Sequence, residues 1–321
     1  MPNRVVYFSG GFVPESEARV SIFDSALMFG DMAFEMTRTF GGEPFKLRAH
    51  LDRLYASMKL LEIDSGMTID EMEAATHETL ERNRATEPDD MDWQIMHNVS
   101  RGPLSFYASI FAEGCQPTVS INCWPMIRHL AGCVPKYDEG VHLAIPSQLA
   151  LPAHLLDPKA KTRSRMHYHL ANVQTARLGA DIMPVLLDPD GFITEGTGYN
   201  VLFVKNGKLY SPEPRNMLRG VSRDVTFQVA RAAGIEIIEV NLDRYDALQA
   251  DEIMISATSF CLCHAATFEG HVVGNGDPGP VFQRLLEGWN QLVGTDIPQQ
   301  ARDYAAREAA WVAREEAAIR K

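Results

Sequence analysis

Two patterns in this chain of 321 residues predict an α/β (α+β) fold with two domains. Short strand signals that end at glycine turns alternate with apolar residues at helical spacing, as over residues 51–61. A proline-containing stretch without periodicity then interrupts this alternation, which is typical of a connection between domains. We therefore expect a small N-terminal domain over residues 1–145, an interdomain loop over 146–160, a larger domain over 161–297 and an exposed helical tail over 298–321.

Local signals add expectations for single elements. Thr68-Ile-Asp-Glu71 has the form of a capping box, so a helix should begin there. Residues 220–234 are predicted to form a helix in which Ser222 is the N-terminal cap and Gly234 the stop. His167 and His169 alternate, and we interpret them as wall residues on a strand or loop.

Composition argues against several classes of function. The net charge of −12 disfavours nucleic acid or an anionic membrane as a partner. No apolar run approaches the roughly 18 residues of a membrane span, and the first residues lack the apolar core of a signal peptide. Five cysteines are interpreted as reduced thiols, so we expect a cytoplasmic protein. Cys261, Cys263 and His264 have no further ligands at zinc spacing, so we predict no metal.

The stretch Asp188–Asn200 carries the clearest site pattern. Asp190-Gly191 is predicted as a hairpin turn, and the chain after it opens into Gly196-Thr197-Gly198. Small residues at such a position allow a ligand to approach the backbone closely. Glu195 precedes this gap, and its carboxylate is either a solvated turn group or a group directed at a ligand.

Four segments resemble the class IV aminotransferases in their order and separation, namely His50–Ser57, Asp188–Asn200, Leu218–Arg223 and Asp251–Ser259. This family includes branched-chain and D-amino-acid aminotransferases, (R)-selective amine transaminases and aminodeoxychorismate lyase, and it uses pyridoxal 5′-phosphate (PLP). The resemblance implies the two-domain fold type IV of PLP enzymes, with a barrel-like sheet in the larger domain and the cofactor between the domains. It also implies a homodimer.

The resemblance further implies a lysine that holds PLP as a Schiff base and moves a proton. Counting back fourteen residues from Thr175 places this lysine at Lys161. Lys159 is the alternative anchor, and a shifted alignment would put Arg165 at the position of the lysine. Arg163 and Arg165 should lower the pKa of the lysine by repulsion between like charges.

Other cofactor contacts follow from the same resemblance. The carboxylate of Glu195 would keep the pyridine nitrogen protonated, so that the ring accepts electrons. Arg53 matches the arginine that binds the phosphate. The remaining cofactor residues are Leu218 against the ring face, Val221 and Ser222 with backbone N–H groups, and Thr258 with its hydroxyl.

The substrate side is less well defined by the sequence. Arg38 and Arg101 are the two candidate partners of a substrate carboxylate, and Gly198 and Ser259 are placed at the substrate. D-amino-acid aminotransferases carry an Arg-x-His after a run that resembles Ser100–Gly102. Here Pro103–Phe111 contains neither arginine nor histidine, which favours an apolar substrate side chain.

We therefore predict a PLP-dependent transaminase that moves an amino group between a branched-chain or other apolar amino acid, or a primary amine, and a 2-oxo acid. Three alternatives stay open: a lyase that resembles aminodeoxychorismate lyase, a D-amino-acid aminotransferase, and a non-catalytic protein that keeps the fold.

Overall fold

The computed structural model describes residues 4–87, 90–111 and 114–319. The chain forms two compact units, the first of Met1–His129, Ala160–Arg165 and Tyr304–Lys321, the second of Leu130–Lys159 and Met166–Asp303. This division differs from the predicted boundaries at residues 145 and 160. The reason is strand pairing, because residues 141–144 pair within the second sheet and Thr162 forms a bridge with Ala33.

The described part of the first unit contains an antiparallel sheet of six strands. These are β1 (Val5–Phe8), β2 (Gly11–Pro14), β3 (Met32–Phe40), β4 (Glu43–Pro44), β5 (Trp93–Ser100) and β6 (Thr118–Pro125). They lie in the order β2-β1-β6-β5-β3-β4. The turn between β3 and β4 has positive φ at both Gly41 and Gly42, a conformation that glycine adopts most readily.

Helices α2 (Leu47–Leu61) and α3 (Ile69–Arg84) pack against one face of this sheet, and the short α1 (Ser25–Phe29) precedes β3. The predicted capping box at the start of α3 is confirmed, since the Thr68 and Glu71 side chains accept from each other's backbone N–H. Side chains alternate along a strand, so Glu35 and His97 point toward the helices, while Phe34 and Asn98 lie on the opposite face.

The C-terminal helix α10 (Ile297–Ile319) is helical as predicted but is not exposed throughout. Ala301 and Tyr304 are buried, which the alternation of charged residues with alanine did not indicate. The Tyr304 hydroxyl accepts a hydrogen bond from Asp92 N at 2.8 Å, and Arg307 pairs with Asp90 at 2.7 Å. These contacts tie α10 to the segment that leads into β5.

The described part of the second unit contains a mixed sheet of nine strands. These are β7 (Val141–Ala144), β8 (Ile182–Leu187), β9 (Ile193–Gly196), β10 (Asn200–Lys205), β11 (Lys208–Pro212), β12 (Ile237–Val240), β13 (Glu252–Ala257), β14 (Cys261–Phe268) and β15 (His271–Val272). The order is β12-β11-β10-β13-β14-β7-β8-β9, and β15 pairs with β14. Both units combine strands with helices, so the predicted α/β class is confirmed.

Six more α-helices lie in the described chain, beside two short 3-10 helices, Glu15–Glu17 and Ser105–Ile110. They are α4 (Ile127–Ala131), α5 (Val134–Asp138), α6 (Met166–Thr175), α7 (Val221–Ala232), α8 (Arg244–Leu248) and α9 (Pro280–Val293). The prediction that His167 and His169 lie on a strand or loop is wrong, because both belong to α6. Across the described ranges, no helix combines the length and apolarity needed to cross a membrane.

Candidate active site

The hairpin of β8 and β9 positions Glu195, as the sequence predicts. The Asp188 carboxylate closes the turn by accepting from the backbone N–H of Asp190 at 3.0 Å and of Phe192 at 2.9 Å. The strand that follows is buried along its whole length, and Glu195 itself is 4% exposed. The interpretation of Glu195 as a solvated turn residue is therefore wrong.

Two donors hold the Glu195 carboxylate by one oxygen, Oε1. The Tyr168 hydroxyl donates at 2.7 Å, and the backbone N–H of Leu218 donates at 3.1 Å. The Leu218 peptide is fixed in turn, because its carbonyl accepts from Asn200 Nδ2 at 2.9 Å. A buried carboxylate held in this way is a fixed acceptor within a fully buried strand.

Helix α7 begins without a side-chain cap. Its N-cap residue is Gly220 rather than the predicted Ser222, which is the second residue of the helix. A Cβ at position 220 would lie 2.0 Å from Asn200 Oδ1, so only glycine fits there. The backbone N–H groups of Val221 and Ser222 therefore have no capping side chain, and such a helix start suits a phosphate.

The turn residues proposed from the sequence lie at one end of the second sheet. Thr258 and Ser259 lie between β13 and β14, and the exposed Gly198 lies between β9 and β10. Because Asn200 of β10 pairs with Ser256 of β13, these turns emerge at the same end of the two strands.

Lys161 belongs to the short segment Ala160–Arg165 of the first unit. Its backbone N–H donates to Ser57 Oγ at 3.0 Å, and its carbonyl accepts from Phe34 N at 3.0 Å. The side-chain Nζ lies 4.7 Å from the centroid of the Phe34 ring. Two backbone contacts thus fix the position from which the amine projects.

Lys159, the alternative anchor, forms an ion pair and a hydrogen bond to a backbone carbonyl. Lys159 Nζ pairs with Asp157 Oδ1 at 2.8 Å and donates to the carbonyl of Arg215 at 3.2 Å. Arg165 Nε donates to the carbonyl of Thr162 at 2.8 Å.

Arg53 pairs with a buried carboxylate that the sequence analysis did not single out. Its Nε and Nη2 donate to the two oxygens of Glu35 at 2.6 and 2.9 Å, and His50 Nδ1 lies 2.9 Å from Glu35 Oε2. Burial raises the pKa of Glu35, but the charge of Arg53 and the His50 hydrogen bond outweigh it and hold that pKa well below its usual range. Glu35 thereby fixes the orientation of the Arg53 guanidinium.

The two arginines proposed for the substrate carboxylate are engaged elsewhere. Arg38 is buried beside Asp92, and its Nε donates to the carbonyl of Thr39 at 3.2 Å. Arg101 pairs with Asp31 at 2.9 Å, and its two Nη atoms donate to the Leu61 and Glu62 carbonyls at the end of α2. The structure therefore gives both side chains a role in packing and capping.

Two site residues escaped the sequence analysis. Glu35 interrupts a run of largely apolar strand positions with a charge, a signal that could have identified a buried ion pair. Tyr168 gives no such local signal, because its contact with Glu195 depends on the packing of α6 against β8.

In the described ranges, no three His, Cys, Asp or Glu side chains are grouped to hold an ion. Cys261, Cys263 and His264 lie on β14, the strand predicted after the Thr258-Ser259 turn.

Replacement of Arg53 by alanine is expected to weaken PLP binding about tenfold or more. One charge-assisted contact to a phosphate contributes about 1.5–3 kcal/mol. Arg48→Ala is the matched control, since Arg48 lies on the same helix but is exposed and pairs with Asp70 and Glu73. If a titration gives the two variants equal PLP affinity, Arg53 pairs with Glu35 but does not bind the phosphate.

Comparison with known proteins agrees with this geometry. The family model described as amino-transferase class IV matches residues 32–266. A putative branched-chain-amino-acid aminotransferase of Methanocaldococcus jannaschii is 34% identical over 289 residues, which cover 89% of this chain and 96% of that protein. The chain belongs to the class IV aminotransferase family.

Solved structures of similar proteins extend the comparison. The branched-chain amino acid aminotransferase of Escherichia coli superposes with a TM-score of 0.81 at 25% identity, covering 91% of this chain and 95% of that one. The branched-chain aminotransferase of Thermobaculum terrenum in its PLP form gives 0.77 at 25% identity, covering 94% and 97%. The predicted fold type IV and enzyme class, a PLP-dependent aminotransferase, are confirmed, and the alternatives are not favoured.

Proposed function

We propose that this aminotransferase moves the amino group between a branched-chain or other apolar amino acid and a 2-oxo acid, with Lys161 as the catalytic lysine. The observation that carries the proposal is the buried Glu195 carboxylate, held by Tyr168 and by the Leu218 N–H. A fixed, buried carboxylate is the acceptor that a protonated pyridine nitrogen requires. The uncapped start of α7, in the same unit as Glu195, offers N–H donors that fit the phosphate of PLP.

Each residue then has one task. Bound PLP supplies an electron sink for the substrate carbon that loses its proton. In the first unit, the amine of Lys161 would hold the aldehyde and, once free, its Nζ would take up the proton from that carbon, while Arg53 would bind the phosphate. In the second unit, Glu195 would accept the N–H of the pyridine ring and Leu218 would contact the ring. The N–H groups of Val221 and Ser222 and the Thr258 hydroxyl would donate to the phosphate.

The substrate preference is tested with a series of donors. Leucine or isoleucine should exceed D-alanine and D-glutamate at least tenfold in kcat/KM, because Pro103–Phe111 contains apolar and aromatic groups and no cationic ones. Along leucine, norvaline, 2-aminobutyrate and alanine, each lost CH₂ should cost about 0.8 kcal/mol, roughly fourfold. The cofactor spectrum during the first half-reaction, with pyruvate or 2-oxoglutarate as the later acceptor, gives the rates. D-alanine or D-glutamate as the best donor would contradict this assignment.

We also propose a homodimer in the cytoplasm. Supporting the dimer, Ile22, Leu27, Phe29, Phe106 and Ile110 are each more than half exposed. They lie on two segments of the first unit that are joined by the hydrogen bond from the N–H of residue 25 to the carbonyl of residue 102, at 3.0 Å. An exposed apolar patch of this kind marks an interface. The five cysteines are free thiols, as expected in a reducing compartment.

A further inference from the structure

Three cationic side chains surround the ring of Phe34. Lys161 Nζ, Arg163 Cζ and Arg165 Cζ lie 4.7, 3.7 and 4.7 Å from its centroid. The negative face of an aromatic ring attracts cations, which offsets part of their mutual repulsion. Phe34 lies on the sheet face opposite to α2 and α3, so this cluster belongs to the face that those helices leave uncovered.

Arg163 is held in this cluster by neutral groups. Its Nη2 donates to Asn98 Oδ1 at 2.8 Å and contacts Met96 Sδ at 2.9 Å, and Asn98 Nδ2 donates to Ser120 Oγ at 3.2 Å. Within the described ranges, no carboxylate forms an ion pair with Arg163, although its side chain is exposed. Its positive charge is thus oriented without an internal counterion.

The pKa of Arg163 reflects the same surroundings. Partial desolvation, and then repulsion by Arg165, lower the pKa of Arg163 to about 10, so the guanidinium stays charged at neutral pH. An anion placed beside Arg163 would relieve that repulsion. Arg38 and Arg101, in contrast, already have the carboxylates of Asp92 and Asp31 beside them.

We propose that Arg163 binds the carboxylate of the substrate, in a site formed by Phe34, Asn98 and Lys161. The guanidinium fork matches a carboxylate with two parallel hydrogen bonds. Lys161 and Arg163 contact one ring, so a small molecule at the lysine amine is within reach of the guanidinium. The inference rests on the proposed function and narrows it: the substrates are amino acids and 2-oxo acids, and amines without a carboxylate are poor donors.

The experiment compares a carboxylate with its neutral amide on the PLP-loaded enzyme. The probe is 4-methylvaleric acid, which has the carbon skeleton of leucine and no amino group, and the control ligand is 4-methylvaleramide. Calorimetric titration should show that Arg163→Gln binds the acid about tenfold to a hundredfold more weakly and the amide unchanged, since a charge-assisted hydrogen bond contributes about 1.5–3 kcal/mol. Arg163→Lys should fall between the two, because it keeps the charge without the fork.

Arg82→Gln is the matched control variant. Arg82 also lies over a ring, that of Phe12 at 4.1 Å, but it is on α3 and pairs with Glu78. Its acid and amide affinities should equal those of the unsubstituted enzyme. Raised ionic strength should weaken acid binding by the unsubstituted enzyme much more than by Arg163→Gln.

Kinetics separates this proposal from the function on which it rests. Arg163→Gln should raise KM for leucine and for its 2-oxo acid by a much larger factor than it changes KM for a carboxylate-free amine such as isobutylamine. If Arg163→Gln binds the acid as tightly as the unsubstituted enzyme, the proposal is overturned, although transamination by the unsubstituted enzyme would still uphold the function. If the unsubstituted enzyme transaminates no donor, the function fails, while the acid and amide titrations still decide the role of Arg163.

Discussion

Replacement of Lys161 by alanine is expected to reduce transamination by at least about a thousandfold. The variant loses both the covalent attachment of PLP and the amine that moves the proton, and a positioned acid or base alone contributes about 10²–10⁴-fold. Stopped-flow spectra of the first half-reaction measure the loss. Reduction with borohydride followed by peptide mapping should place the pyridoxyl group on Lys161 in the unsubstituted protein.

Lys159→Ala is the matched control, two residues away in the chain. Because Lys159 pairs with Asp157 and donates to a backbone carbonyl, its loss should leave the half-reaction rate nearly unchanged and lower stability slightly. A pyridoxyl group on Lys159, or a Lys159 variant that is as inactive as the Lys161 variant, would move the anchor to that residue.

Glu195→Gln is expected to keep PLP bound while slowing the half-reaction by more than about a hundredfold. The amide oxygen of glutamine can still accept from Tyr168 and from the Leu218 N–H, so the local structure should persist. A neutral amide cannot keep the pyridine nitrogen protonated, and a loss of ~3 kcal/mol in the transition state exceeds a hundredfold in rate.

Tyr168→Phe serves as the control for this substitution. It removes one hydrogen bond to Glu195 but keeps the carboxylate, so its effect should be much smaller than that of Glu195→Gln. A half-reaction rate of Glu195→Gln equal to that of the unsubstituted enzyme would falsify the assigned role. Thermal unfolding of both variants shows whether a change in rate reflects a change in fold.

Much of the fold could be predicted because its signals are local. The Thr68–Glu71 capping box and the Asp190-Gly191 turn involve residues at most a few positions apart, and both are observed. The α/β class could be inferred for the same reason. The division into units could not, because it depends on which distant strands pair, as β7 does with β14. The N-cap of α7 was misassigned because Ser222 is a good capping residue by type, whereas the packing of Gly220 against Asn200 sets where the helix starts.

The sequence by itself determined the family, the candidate lysine and Glu195, since these depend on residue types at set spacings along the chain. Only the tertiary structure decided what surrounds them. Tyr168 reaches Glu195, Arg53 pairs with Glu35, and Arg101 caps α2, each across 18 or more residues of chain. Such contacts depend on which distant segments pack together and on the need to pair buried charges and hydrogen-bonding groups, and the identity of these partners leaves no periodic pattern in the sequence.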